Sequence, residues 1–218
     1  AGPIVLPADD KIKNAIENLK KRKRKLLFIL ETNGGYAETA RRISDVLRHH
    51  YREVDFLIPS HAMSAGTILA MSGDSIWMDY YSVLGPIDPQ MPDGGKKRLI
   101  PALGFLIKYE ELLKKANEGK AGAAELQILL SFNQGELYSY EQARALSVSL
   151  LEEWLAKYKF RNWKQTKTRQ MPVPSAMKKR RAVEIARKLD DIKRWKSHGI
   201  GINMQVLGKE LKLLVDDF

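Results

Sequence analysis

The stretch from Leu26 to Tyr36, LLFILETNGGY, runs from a five-residue apolar block straight into Asn33-Gly34-Gly35. An apolar run of that length, bounded by charge on one side and a turn on the other, reads as a buried strand ending in a tight turn. Ala40, Ile43, Val46 and Leu47 then recur at helical spacing, so a helix is expected from about Tyr36 to His50. Upstream, Ile12, Ile16 and Leu19 mark a helix between Asp9 and Lys23. Downstream, Val54–Ile58 (VDFLI) is a second buried strand stopped by Pro59, and Met63 to Met71 is a short helix rich in small residues. Ser75–Met78 and Ser82–Leu84 complete a strand, helix, strand, helix, strand order. That order is the βαβ pattern of a parallel sheet covered by helices.

Pro86 to Gly95 is rich in Pro, Gly and Asp and reads as loop. Helices are expected over 101–117, 121–132, 140–158 and 178–193, with Pro172-Val173-Pro174 setting the last one apart. The end, Gly199–Phe218, reads as a small helical or strand module. Three segments follow from this reading: an α/β core over 1–100, a helical part completing the domain over 101–170, and a C-terminal helical arm over 171–218.

Composition narrows the chemistry. The 218 residues contain no cysteine, which excludes a disulfide framework and a thiol nucleophile. Four histidines make a metal centre a poor expectation, and neither a metal nor an organic cofactor is expected. The formal net charge is +11, with two basic clusters at Lys20–Lys25 (KKRKRK) and Lys178–Arg181 (KKRR). Such clusters are solvated charge or a surface for an anionic partner. No apolar stretch is long enough to span a bilayer. The chain opens on AGPIVL without a methionine, and membrane association through a segment absent from this chain stays open. Location is otherwise open between cytoplasm and membrane.

Two strand-to-helix junctions carry chemistry. At Asn33-Gly34-Gly35 the backbone N–H groups can approach a ligand with no side chain in the way, as for a phosphate or the oxyanion of a tetrahedral intermediate. The bland alternative is an ordinary Gly-Gly turn. At Pro59-Ser60-His61-Ala62-Met63-Ser64-Ala65-Gly66-Thr67, Ser64 falls on a turn between strand and helix with small neighbours, which is the logic of a nucleophile elbow. The bland alternative is that Ser64 or Ser60 caps the helix. In a parallel sheet the loops at the strand carboxyl ends converge, so the glycine turn and the serine would face each other as acyl transfer requires.

ETNGGYAETA followed by IPSHAMSAGTILAMSGDSIWMDYYSVLGPIDPQ resembles the serine dehydrogenase proteinase family, in the wider group of signal peptide peptidase A and Clp protease subunits. The resemblance is strong over about Leu26–Gln90 and weaker to the end, where Trp195-Lys196-Ser197-His198-Gly199 is similar to a recurring segment of the family. It implies a ClpP/crotonase-like spiral of βαβ units with a helical C-terminal extension. It also implies Ser64 as nucleophile, an oxyanion hole from Gly34 or Gly35 with Ala65, a protein or peptide substrate and a homo-oligomer.

The base is not supplied by the motif. Clp-type relatives place a histidine about one strand after the serine, and Val83–Pro89 contains none. Signal peptide peptidase relatives use a lysine from a downstream helix, which makes Lys108 the expected base, with Lys114 and Lys115 as alternatives. If the equivalent helix is instead 140–158, Arg144 occupies the place and cannot deprotonate. His61 is a further catalytic candidate, His198 a remote one, and Asp88 is expected to border the cleft. Two other functions stay open: an inactive peptidase-like scaffold bound to membrane or, less favoured, nucleic acid through the basic clusters, and acyl-CoA thioester chemistry of the crotonase type.

Overall fold

The structure, a computed structural model, describes residues 1–21, 23–93 and 96–218. Arg22 of the first basic cluster and Gly94-Gly95 of the expected loop lie outside the described residues. The elements in order are α1 (Ala8–Glu17), β1 (Lys25–Ile29), α2 (Ala37–His50), β2 (Glu53–Leu57), β3 (His61–Ala62), α3 (Ala65–Ala70), β4 (Ser75–Met78) and β5 (Val83–Leu84). They continue as β6 (Gln90–Asp93), β7 (Lys96–Pro101), α4 (Ala102–Asn117), α5 (Ala123–Ser131) and α6 (Gln134–Trp154). The last are α7 (Ser175–Asp190), α8 (Ile192–Trp195), β8 (Ile202–Asn203), α9 (Met204–Val206) and β9 (Asp216–Asp217).

The main sheet has the order β1-β2-β4-β9 and every pairing in it is parallel, with Phe28 opposite Phe56 and Phe56 opposite Ile76. A smaller sheet, β3-β5-β8, pairs His61-Ala62 with Val83-Leu84 in parallel and Val83-Leu84 with Ile202-Asn203 antiparallel. This is the α/β architecture that the βαβ order predicts. Val54, Phe56, Ile58, Ile76 and Met78 are fully buried, as are Ile43 and Leu47 of α2 and Ile68 and Leu69 of α3. They form the core of the first compact unit, Ala1–Ile87 with Ser147–Phe218.

Two expectations need correction. The block LLFIL does not form a buried strand: β1 is at the edge of its sheet, and Leu27 and Ile29 are 52% and 64% exposed. An apolar run shows that a segment can be buried, not that a second layer covers both of its faces. The span Pro86–Gly95 is not all loop either, because Gln90–Asp93 is a strand paired antiparallel with Lys96–Pro101. Pro and Gly composition marks turns but does not report a partner strand.

The second compact unit is Asp88–Leu146 and holds that ribbon, α4, α5 and the first part of α6. The segments 1–100, 101–170 and 171–218 cut across these units. The reason is topological: β8 and β9, at the far end of the chain, add a strand to each sheet of the first unit. No helix among the described residues is long and apolar enough to cross a membrane.

The first helix is docked by charge as well as by Ile16. Asp9, 1% exposed, accepts a hydrogen bond from the Arg42 guanidinium on α2. Burial pushes the Asp9 carboxyl up, but the hydrogen bond from Arg42, nearby backbone N–H groups and the Arg42 charge outweigh it and hold the group below its ordinary value. A carboxyl with a depressed folded pKa stabilises the fold above its unfolded pKa, and loses that contribution as pH falls through the folded value. Arg42→Ala strands a buried carboxylate, whereas Asp9→Asn leaves an exposed arginine. Thermal melts at neutral pH are therefore expected to show Arg42→Ala as the more destabilised variant, with its deficit shrinking as pH falls below about 4.

Candidate active site

The two junctions meet. The loop leaving β1 and the loop leaving β2 are joined by a parallel bridge, Thr32 with Ala62. The Thr32 N–H donates to the His61 carbonyl and the Met63 N–H donates to the Thr32 carbonyl, both at 3.0 Å. These bonds carry the strand pairing past the sheet edge and lay Gly34 on Ser64. A Cβ added at Gly34 would stand 2.8 Å from the Ser64 Cβ and 2.9 Å from the Met63 carbonyl oxygen. Gly34 has φ +105, a value L side chains rarely adopt. Gly35 is pressed from the other side, where Ile4 pairs with it: an added Cβ would sit 2.2 Å from the Ile4 carbonyl oxygen.

Ser64 occupies the position before α3 but does not cap it. Its side chain makes no capping hydrogen bond, and its backbone has φ 52 and ψ −116. An N-cap serine sits in the extended region with its oxygen on an N–H of the first turn. A non-glycine residue held at positive φ is strained by roughly 1–3 kcal/mol and persists only where its surroundings fix it. Here Gly34 lies against it, and Gly66 approaches so closely that an added Cβ would be 2.4 Å from the Thr32 Cγ2. Thr67 completes the clamp. Fully buried, its hydroxyl accepts from the Gly85 N–H at 2.9 Å and lies within bonding distance of the Ala62 and Gly85 carbonyls, at 2.8 and 2.9 Å. Thr67 was not singled out by sequence, because a lone hydroxyl in an apolar helix shows its partners only in the fold.

The N–H groups around the turn are unequally occupied. That of Gly34 donates to Thr32 Oγ1 at 3.0 Å, and that of Tyr36 donates to the Ile4 carbonyl. Those of Gly35 and Ala65 have no acceptor among the described residues. Within the unit that holds it, the Ser64 hydroxyl likewise has no hydrogen-bond partner among the described residues.

The other expected residues are placed as follows. His61 is on β3, half-buried, with Nδ1 3.0 Å from the Ser60 hydroxyl. His198 lies between the Trp195 anchor, whose Nε1 donates to the Lys188 carbonyl, and β8. Asp88, Lys108 and Arg144 belong to the second unit. Asp88 is buried and accepts from Gln90 Nε2 at 2.9 Å. Lys108, with its side chain 56% exposed, is 3.8 Å from the Glu111 carboxylate. Lys114 is 4.0 Å from Glu118, and the bond to Glu125 raises the Lys115 pKa.

One lysine that the sequence did not flag, Lys159, is pushed down by burial against the opposing pull of Asp216, Asp55 and Asp74. Asp74 lies just before β4 and binds Arg161, so this lysine belongs to the amino-terminal edge of the sheet, away from Ser64. Among the described residues no group of acidic and histidine side chains could hold a metal.

Gly34→Ala is expected to expel Ser64 from its conformation and to cost roughly 1–3 kcal/mol by thermal melt. Gly104→Ala, where nothing lies within 4 Å and the backbone is helical, should leave stability level or raised.

The uncharacterized protein MJ0137 of Methanocaldococcus jannaschii is 31% identical over 135 residues, 60% of this chain and 47% of the relative. The uncharacterized protein MJ1495 of the same organism is 34% identical over 91 residues, 42% of this chain and 29% of the relative. The chain thus spans less than half the length of either curated relative. Among solved structures, the 1510-N membrane-bound stomatin-specific protease, in a mutant form with a substrate peptide, is similar over 99% of this chain and 71% of its own. Its TM-score is 0.56 at 13% identity, a likeness of fold. Residues 4–110, with Ser64 and both glycines among them, match the family described as the ClpP-like SDH-type serine proteinases, the family that the signature resembles.

Proposed function

We propose that the protein is a serine peptidase with Ser64 as its nucleophile. The observation that carries this reading is the strained, uncapped backbone of Ser64 held against Gly34, supported by the family match over residues 4–110. Backbone strain of this kind is retained where it aims a side chain. The Ser64 Oγ would attack the carbonyl carbon of a bound peptide, forming a tetrahedral intermediate. Collapse would release the amine and leave an acyl ester on Ser64, which water then hydrolyses.

The negative oxygen of that intermediate needs donors already in place. The reading assigns them to Ala65 and the glycine turn. Gly35 has its N–H unengaged, and Gly34 joins when the Thr32 hydroxyl turns away. The proton from Ser64 goes to a lysine, with Lys108 as first candidate. Neither His61 nor Lys159 is preferred as the base: His61 is engaged by Ser60, and Lys159 belongs to the other edge of the sheet. Lys108 must give up Glu111 and its solvent to act as a neutral amine. Asp88, held by Gln90, is read as bordering the substrate path, and a homo-oligomer as the working assembly.

A fluorophosphonate probe is expected to label wild type and not Ser64→Ala, and Ser64→Ala should lower peptide hydrolysis by a factor on the order of 10⁴–10⁶. Folded but unlabelled wild type would favour the scaffold instead. Lys108→Ala should abolish labelling with the fold intact; unchanged labelling would move the base to another residue.

A further inference from the structure

Two stretches without an acidic residue carry the whole excess positive charge. Residues 18–30 hold six Lys and Arg and residues 160–183 hold eight, while the rest of the chain has 23 basic and 26 acidic side chains and is net negative. The fold ties these distant stretches together. The Arg52 N–H donates to the Arg24 carbonyl at 2.9 Å, the Arg161 guanidinium donates to the Arg52 carbonyl at 3.4 Å, and the Lys178 ammonium donates to the Arg161 carbonyl at 2.9 Å. Arg24 and Arg52 immediately precede β1 and β2. The basic surface is therefore at the amino-terminal edge of the parallel sheet, and the Gly34 and Ser64 loops leave from the carboxyl-terminal edge.

Much of this charge is uncompensated. Lys21, Lys23, Lys164, Lys167 and Lys179 are exposed and have no ion pair among the described residues. Like charges gathered on one surface repel one another, and an anionic partner relieves that cost. Apolar side chains stand exposed beside them: Leu19 is 50% exposed just before Lys20, and Met171 is 53% exposed on the hairpin that holds Lys164 and Lys167.

We propose that this surface docks onto an anionic lipid membrane. The lysines and arginines would meet headgroup phosphates, and Leu19 and Met171 would reach the acyl boundary. A nucleic acid fits less well. Exposed aliphatic groups gain nothing against phosphates, and Trp163, within the second stretch, is half-buried with its ring 5.5 Å from Phe160 rather than offered for stacking. Docking this way leaves the Ser64 edge of the sheet turned from the bilayer. The inference does not depend on the peptidase reading.

Vesicle co-sedimentation tests it, using phosphatidylcholine alone and phosphatidylcholine with about one third phosphatidylserine, a strongly anionic surface. The chain is expected on the anionic vesicles only, and to be released by high salt. Each basic residue at such a surface is worth roughly a fivefold change in partition. Replacing Lys21, Lys23, Lys179 and Arg180 by Gln should weaken binding by roughly 600-fold. The same number of Gln at Lys114, Lys120, Lys209 and Lys212 should leave it within about twofold, because those charges lie outside the two stretches. Circular dichroism melts confirm that both variants fold. No binding to anionic vesicles, equal binding to neutral ones, equal loss in both variants, or binding to a duplex oligonucleotide in place of vesicles would each overturn the proposal.

Discussion

The site depends on one missing carbon atom. Because Gly34 has no side chain, the turn after β1 can lie directly on the Cβ of Ser64 and on the Met63 carbonyl. That contact brings the loops from two neighbouring strands together at one point. It also props Ser64 in a backbone region that a free serine avoids. Gly35 performs the same service on the opposite side, admitting Ile4 against the turn so that it is held between the amino-terminal segment and the serine loop. Each glycine is there because another part of the backbone needs its space, and only secondarily for its freedom of rotation.

Very short elements do most of the positioning. Strands β3, β5 and β8 have two residues each, yet they fix where the chain enters and leaves the serine turn. Alone, two residues could not resist unfolding. They persist because Ala62, Leu84 and Ile202 are fully buried, and because the Thr67 hydroxyl spans from α3 to Gly85. Buried hydrogen bonds of this kind are costly to break singly, since each leaves a polar group without water. The stiffness of the serine turn thus comes from tertiary contacts made by residues that look unremarkable in line.

Charge is segregated by edge. The carboxyl-terminal edge of the main sheet carries glycines, small residues and the Ser64 hydroxyl, with N–H groups that have no acceptor among the described residues. The amino-terminal edge carries the basic surface, together with buried Asp55 and half-buried Asp74, tied to Lys25, Arg48 and Arg161. These ion pairs fasten the strand starts, while the strand ends keep N–H donors that have no acceptor among the described residues. One parallel sheet serves both ends because its strands all point the same way.

The alternation of apolar blocks with helical spacing over residues 26–84 was sufficient for the α/β class, because a parallel sheet needs buried strands and crossover helices in that order. The pairing of NGG with MSAGT identified the two loops, since glycine and small residues at strand ends mark close backbone approach. What the order of residues could not show was who faces whom. That LLFIL lies at an edge, that Gln90–Asp93 finds a strand to pair with, and that β8 and β9 return from the end of the chain are set by long-range pairing. None of these leaves a trace in local pattern. The same holds for the serine itself: whether Ser64 caps α3 or stands strained above it is decided by the Gly34 contact, which exists only when residues 30 positions apart are packed together.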